Sequence, residues 1–140
     1  MSARGLLRDE SGSILPLTIG YAVLALALII VCANATSLYL AQKSLDAVAD
    51  AAALAGADGF TLSLEGDAPL ARLDDGAVRA QAEAIVAAAP GDQTLVAAGT
   101  PDGLSARVTV ATMWHAPLLS ALVPAGVALE ATATSRTALR

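Results

Sequence analysis

The stretch from Ser11 to Gln42 carries no charged residue and is dense in leucine, isoleucine, valine and alanine. About 20 apolar residues cross the hydrocarbon core of a bilayer, so this stretch is long enough for one membrane crossing. We predict that the span runs from Ile14 to Ala35. Ser13 can cap the first turn and Pro16 is tolerated there, so we expect the helix to begin near Ser13.

The helix is predicted to continue well past the span. No glycine or proline occurs from Tyr21 to Ala55, and Gly56 and Gly59 then supply a stop signal. Residues 13–58 are therefore predicted to form one helix, with Met1 to Gly12 as a leader. Its second part carries residues spaced seven apart, which share one stripe. We predict this stripe as a face for association with other helices: Leu38, Ala41, Leu45, Val48, Ala52 and Ala55.

The remainder is predicted to be a small α+β domain over residues 76–140. Residues 59–75 are rich in acids and glycine, and a solvated acidic linker explains them better than a calcium loop because the spacing of the acids fits no known loop. A helix is expected over 76–89, capped by Asp74 or Asp75. Strands are expected over 93–98, 105–115 and 127–138, forming an antiparallel sheet of about three strands with its core centred on Trp114.

Charge and residue chemistry exclude several functions. The net charge is −5 and no basic patch is visible, so nothing favours nucleic-acid binding. His115 is the only histidine and Cys32 the only cysteine. No metal cluster, phosphate loop or catalytic set is therefore predicted, and we expect no enzyme activity, cofactor or small-molecule substrate. Cys32 is interpreted as a small apolar residue, with palmitoylation or an intermolecular disulfide as alternatives.

Three kinds of N-terminal processing have at least a partial signal in the sequence. Ala33-Asn34-Ala35 resembles a signal-peptidase site, although the apolar run is longer than a usual signal. A lipoprotein signal at Cys32 is disfavoured because Val31 stands where a small residue is expected. Prepilin-type cleavage needs a Gly with a Glu five residues later, and Gly5 and Glu10 have that spacing.

At the family level, residues 8–58 resemble the N-terminal module of TadE/TadG-like proteins of tight-adherence (Flp-type) pilus assembly. The most specific part is the block LDAVADAAALA over residues 45–55, which follows the apolar span. The family implies a Gly before the span, which Gly12 matches with Ser13 after it, and prepilin-peptidase cleavage there. Leu17 stands where TadE-like members carry a Glu, which places the chain closer to the TadG-like side.

The resemblance implies a pilin-like layout and a function in protein assembly. We expect a membrane-anchored pilin-like subunit, or an assembly component, that contacts the lipid bilayer and other pilin-like subunits or platform proteins. Arg4 and Arg8 outnumber Lys43 near the span, which favours an N-terminus inside and the bulk of the chain outside the cytoplasmic membrane. The alternatives are a binding or sensing module on a single-span anchor and a secreted domain released at Ala35.

Overall fold

The fold is taken from a computed structural model, and the structure describes residues 14–66 and 68–136. Its dominant element is helix α1 (Ile14–Asp58), which is 45 residues long and unbroken. At 1.5 Å per residue this helix is about 68 Å long. The described part of the helix ends at Asp58, as the glycine stop signals predicted.

The second half of α1 is covered by a small α+β layer. Helix α2 (Asp75–Ala88) lies beside α1, and both pack on one face of an antiparallel three-stranded sheet. The order in that sheet is β3 (Thr94–Gly99), β4 (Ser105–Trp114) and β5 (Val127–Arg136). Helix α1 contacts β4 and β5, whereas α2 lies mainly over β3. The fold is α+β, as predicted from the sequence.

The stretch predicted as an acidic linker contains a hairpin. Strand β1 (Thr61–Glu65) pairs antiparallel with β2 (Ala68–Arg72), and the pairing joins Thr61 to Arg72. Gly66 at the turn has φ of +73°, a conformation that glycine adopts without steric cost. The alternation of Leu62 and Leu64 with polar neighbours is typical of a strand. The acidic and glycine residues around it favoured the interpretation of the whole stretch as a linker.

Helix α2 begins and ends where local chemistry requires it. The Asp74 side chain accepts hydrogen bonds from the backbone N–H groups of Gly76 and Ala77, at 3.0 and 3.2 Å. Two otherwise unpaired donors of the first turn are thereby satisfied. Arg79 and Glu83, four residues apart on the solvent side of α2, form an ion pair with a distance of 3.0 Å between Nε and Oε1.

The hydrophobic core lies between α1, α2 and the sheet. Its members are mostly small side chains: Leu45, Ala49, Ala52, Ala53, Ala82, Val86, Val108, Val110, Ala131 and Ala133. Small side chains let the helices approach the sheet closely. At Gly56, for example, an added Cβ would lie 3.0 Å from Val78 Cγ1 and 3.2 Å from Ala106 Cβ.

Trp114 is not at the centre of this core, so that prediction was wrong. Trp114 is half-buried at the end of β4, and the core cluster is formed without it. The alanine-lined face of α1 takes the central position, since it contacts β4 and β5 directly. The indole of Trp114 lies outside that contact, at the end of β4.

Candidate functional site: the two faces of the long helix

The predicted association face of α1 is largely used inside the molecule. Leu45 and Ala52 have no exposed surface, and Val48 packs against the same core cluster. Leu38, Ala41 and Ala55 are half-buried. This stripe is the one with which the helix contacts the protein's own sheet. Its use between subunits stays a prediction, and the buried positions Leu45 and Ala52 are closed to any partner in this fold.

The opposite face of α1 carries a second stripe that is exposed. Leu40, Ala47 and Leu54 are seven residues apart, with Leu40 60% and Leu54 57% exposed. Ser44 and Ala51 lie between them at spacings of four and three, so the five residues form one line along the helix. We call this line the exposed seam. It contains no charged side chain.

The exposed seam continues toward the N-terminus without a break. Leu26, Ile29, Ala33 and Thr36 extend the same spacing of three and four residues, and all are exposed. The sequence does not indicate this seam as the open one, because two apolar stripes with the same period run along the helix. Nothing in the sequence distinguishes the stripe that the sheet covers from the stripe that it leaves open.

Charged residues lie beside the exposed seam and not on it. Lys43 Nζ is 3.3 Å from Asp46 Oδ2 and 5.9 Å from the centre of the Tyr39 ring. A hydrogen bond from Gln42, together with one from Lys43, lowers the pKa of Asp46 below its usual value. Gln42 Nε2 also donates to the Glu130 carbonyl at 3.2 Å and so joins the helix to β5. Gln42 therefore connects this side of the helix to the sheet, whereas the exposed seam stays open.

The apolar half of α1, residues 14–33, is almost entirely exposed. Its large apolar side chains have more than half of their surface accessible, including Leu15, Leu24 and Ile29, except for the half-buried Ile30. Of the helices in the described part of the chain, α1 alone is long and apolar enough to cross a membrane. The small residues Gly20, Ala22, Ala25 and Ala33 are exposed as well, and so is Cys32.

A polar joint connects the end of this apolar half to the sheet. Asn34 is only 6% exposed, and its Nδ2 donates to the Ile30 carbonyl at 2.7 Å. Its Oδ1 accepts a hydrogen bond from the backbone N–H of Leu118 at 3.4 Å. One turn further on, Ser37 Oγ accepts from Trp114 Nε1 at 3.2 Å. The sequence does not indicate this contact, because the partner of Asn34 is 84 residues away.

The far end of the sheet is held by a network around Asp102. Its carboxylate accepts from the backbone N–H groups of Leu104 and Ser105, at 3.0 and 2.6 Å, and from the Ser105 hydroxyl. Arg136 Nη2 adds a contact of 3.4 Å from β5. The two backbone hydrogen bonds are the main reason why the pKa of Asp102 is lowered to about 2.

The processing candidates lie outside the described residues. Gly5, Glu10, Gly12 and Ser13 all precede Ile14, as does the predicted leader. Within residues 14–66 and 68–136, no group of three or more histidine, cysteine or acidic side chains is arranged to hold a metal ion.

Comparison with known proteins gives one family match. Residues 12–59 match a family model described as putative Flp pilus-assembly TadE/G-like. No curated protein and no solved structure matches the chain. The matched segment contains the whole of α1 and accounts for about a third of the sequence. The resemblance predicted from the residues is confirmed, and residues 12–59 are similar to the TadE/G-like Flp pilus-assembly domain.

Proposed function

We propose that the protein is a membrane-anchored, pilin-like subunit or assembly component of a Tad/Flp-type pilus or a related secretion system. It would act by association of its long helix with other proteins. The observation that carries this proposal is that the two halves of α1 have different surroundings. One continuous helix provides an exposed apolar half and then the central element of a folded domain.

Anchoring through the apolar half is supported by its length and exposure. Residues 14–33 form about 30 Å of helix, which equals the thickness of the hydrocarbon core. Leaving this many large apolar side chains in water is costly, at about 25 cal/mol for each Å² of apolar surface. The positive charges of Arg4 and Arg8 support an N-terminus inside and an extracytoplasmic domain.

Association through the exposed seam is supported by its pattern. Seven-residue spacing of Leu40, Ala47 and Leu54 is the arrangement with which two helices interlock side chains. The small residues between the leucines allow close approach. Since the seam continues into the apolar half, one neighbouring helix could follow it from the bilayer to the domain.

Crosslinking in cells tests this proposal. A photo-crosslinking residue in place of Leu54 is expected to capture a pilus-system protein, because Leu54 is exposed and lies on the seam. The comparison position is Ala80, which is exposed on α2 and so lies on a different helix from the seam. Substitution Leu54→Lys should abolish assembly, whereas Ala80→Lys should leave it intact. Equal capture at both positions, or assembly that tolerates Leu54→Lys, would contradict helix-mediated association.

A further inference from the structure

The loop between β4 and β5, residues 115–126, lies where α1 leaves its apolar half. The backbone N–H of Leu118 donates to Asn34 Oδ1, and the side chain of Trp114 just before the loop donates to Ser37. Asn34 directly follows the apolar half, residues 14–33, which measures about 30 Å along the helix. If the apolar half fills the hydrocarbon core, the loop lies at the level of the membrane surface.

The composition of the loop suits such a position. Leu118 is 56%, Leu122 77% and Val123 39% exposed, so three of its four large apolar side chains are open to the surroundings, whereas Leu119 is half-buried. No charged residue occurs between Arg107 and Glu130, and His115 is the one titratable side chain in the loop. Within the described residues, these three side chains are therefore left largely uncovered by protein.

Charged residues on neighbouring segments are kept away from the loop. Glu130 pairs with Ala111 in the sheet, and the Asp92 carbonyl is 3.5 Å from Thr112 Oγ1. Both therefore lie on the side of Trp114 that faces away from the loop. An indole at the boundary between apolar and charged regions is typical of membrane interfaces.

Several backbone N–H groups of the loop are hydrogen-bonded within the loop, which suits a poorly hydrated environment. The N–H groups of Leu122 and Val123 both donate to the Leu119 carbonyl at 2.9 Å, and that of Gly126 reaches Val123. Pro117 and Pro124 have no N–H group to satisfy. Internal pairing lowers the cost of removing a backbone from water, which is the main obstacle to placing a loop near lipid.

We propose that the β4–β5 loop inserts its apolar side chains into the interfacial region of the bilayer that α1 crosses. The occupant of this surface is lipid, because the surface is continuous with the apolar half of α1 through the Asn34 contact. The inference rests on the proposed anchoring. It gives the domain a second attachment point, which fixes its rotation about the helix axis at the membrane.

Depth measurements on the full-length protein test this inference. An environment-sensitive fluorophore is attached to single cysteines in a Cys32→Ser background, in vesicles of phosphatidylcholine and phosphatidylglycerol at low protein density. Leu122→Cys reports on the loop. Leu64→Cys is the matched control, since Leu64 is 80% exposed on β1, beyond the opposite end of the helix. Ile29→Cys reports on the apolar half of α1.

Nitroxide-bearing lipids are expected to quench the labels at Ile29 and Leu122 and to leave the label at Leu64 bright. Quenching at Ile29 without quenching at Leu122 would overturn the loop inference and leave the anchoring intact. Lack of quenching at Ile29 would overturn the anchoring and the inference together. A Leu122 label that neither lipid nitroxide nor aqueous iodide reaches would show that a protein surface, such as a second copy, covers the loop.

Discussion

Trp114 Nε1 lies 3.2 Å from Ser37 Oγ and donates a hydrogen bond to it. This contact attaches the end of β4, the central strand, to α1 at a position one turn after Asn34 in the chain. It joins two residues that are 77 positions apart, so it forms only when the strand has reached its final place. The protein has a single tryptophan, whose fluorescence therefore reports on this joint.

Substitution Ser37→Ala should destabilise the domain by about 1 kcal/mol, because a half-buried indole N–H loses its acceptor. Unfolding of the full chain by urea in detergent micelles, followed by Trp114 fluorescence, measures the change. Ser44→Ala is the matched control, since Ser44 lies on the exposed seam. Equal stability of the two variants would show that the Ser37 contact contributes nothing.

Substitution Leu45→Ala should cost about 2–5 kcal/mol, the usual range for truncation of a fully buried leucine. Leu45 has no exposed surface and belongs to the central cluster. Leu40→Ala removes the same atoms from an exposed position, and its effect on the monomer should stay within about 0.5 kcal/mol. Chemical denaturation of both variants checks this difference. A reversed order would mean that the two faces of α1 have been assigned the wrong way round.

Substitution Gly56→Ala should destabilise the domain by about 1–3 kcal/mol, because the new methyl group meets Val78 and Ala106 at 3.0 and 3.2 Å. Gly20→Ala is the control, since an added Cβ there meets nothing within 4 Å. Thermal unfolding in micelles, followed at Trp114, separates the two variants. An unchanged midpoint for Gly56→Ala would show that Val78 and Ala106 can make room for the methyl group.

The Asp102 network should make stability depend on pH in the acid range. The pKa of Asp102 is about 2 in the folded chain, below the ordinary value of 3.8, chiefly because the N–H groups of Leu104 and Ser105 donate to it. The unfolded chain therefore takes up the proton first as the pH falls. The contribution of Asp102 is complete above the ordinary value and is lost as the pH falls through about 2.

Substitution Asp102→Asn should flatten this part of the stability profile, which denaturant titrations at several pH values would show. Asp50→Asn, at an exposed site on α1, controls for the loss of one negative charge. A profile for Asp102→Asn with the same acid slope as the parent protein would contradict the role of the network.

Substitution Asn34→Ala should release the β4–β5 loop from the helix. The Leu118 amide loses its acceptor and should exchange its hydrogen faster in hydrogen–deuterium exchange of the full chain. The Leu122 amide is an internal control because it donates to Leu119 within the loop. Unchanged exchange at Leu118 would show that another group protects that amide.

The sequence predicted the elements better than it predicted their contacts. The run without glycine or proline from Tyr21 to Ala55 leaves the helix no place to break, and the capping chemistry of Asp74 is local. The alternation of Ala106, Val108 and Val110 with polar neighbours reports one buried strand face, and all three are fully buried. Such signals depend on neighbouring residues only.

Contacts between distant elements could not be predicted in the same way. The stripes through Leu45 and through Leu40 have the same period and similar composition, so choosing between them requires the position of the sheet. The large side chain of Trp114 suggested that it forms the centre of the core. The core depends instead on close approach between small residues of α1 and the strands. The partner of Asn34 is the backbone N–H of Leu118. Almost every residue type has such a group, so the identity of residue 118 does not predict the contact.

The unbroken course of α1 makes the molecule a rigid lever. Because no glycine, proline or turn separates residues 14–33 from the domain, the sheet must follow every tilt of the apolar half. A tilt of one degree about the middle of that half would move the far end of the helix by roughly 1 Å, given a rise of 1.5 Å per residue. Small changes of angle among neighbouring helices would thus be transmitted, enlarged, to the β1–β2 hairpin at the tip.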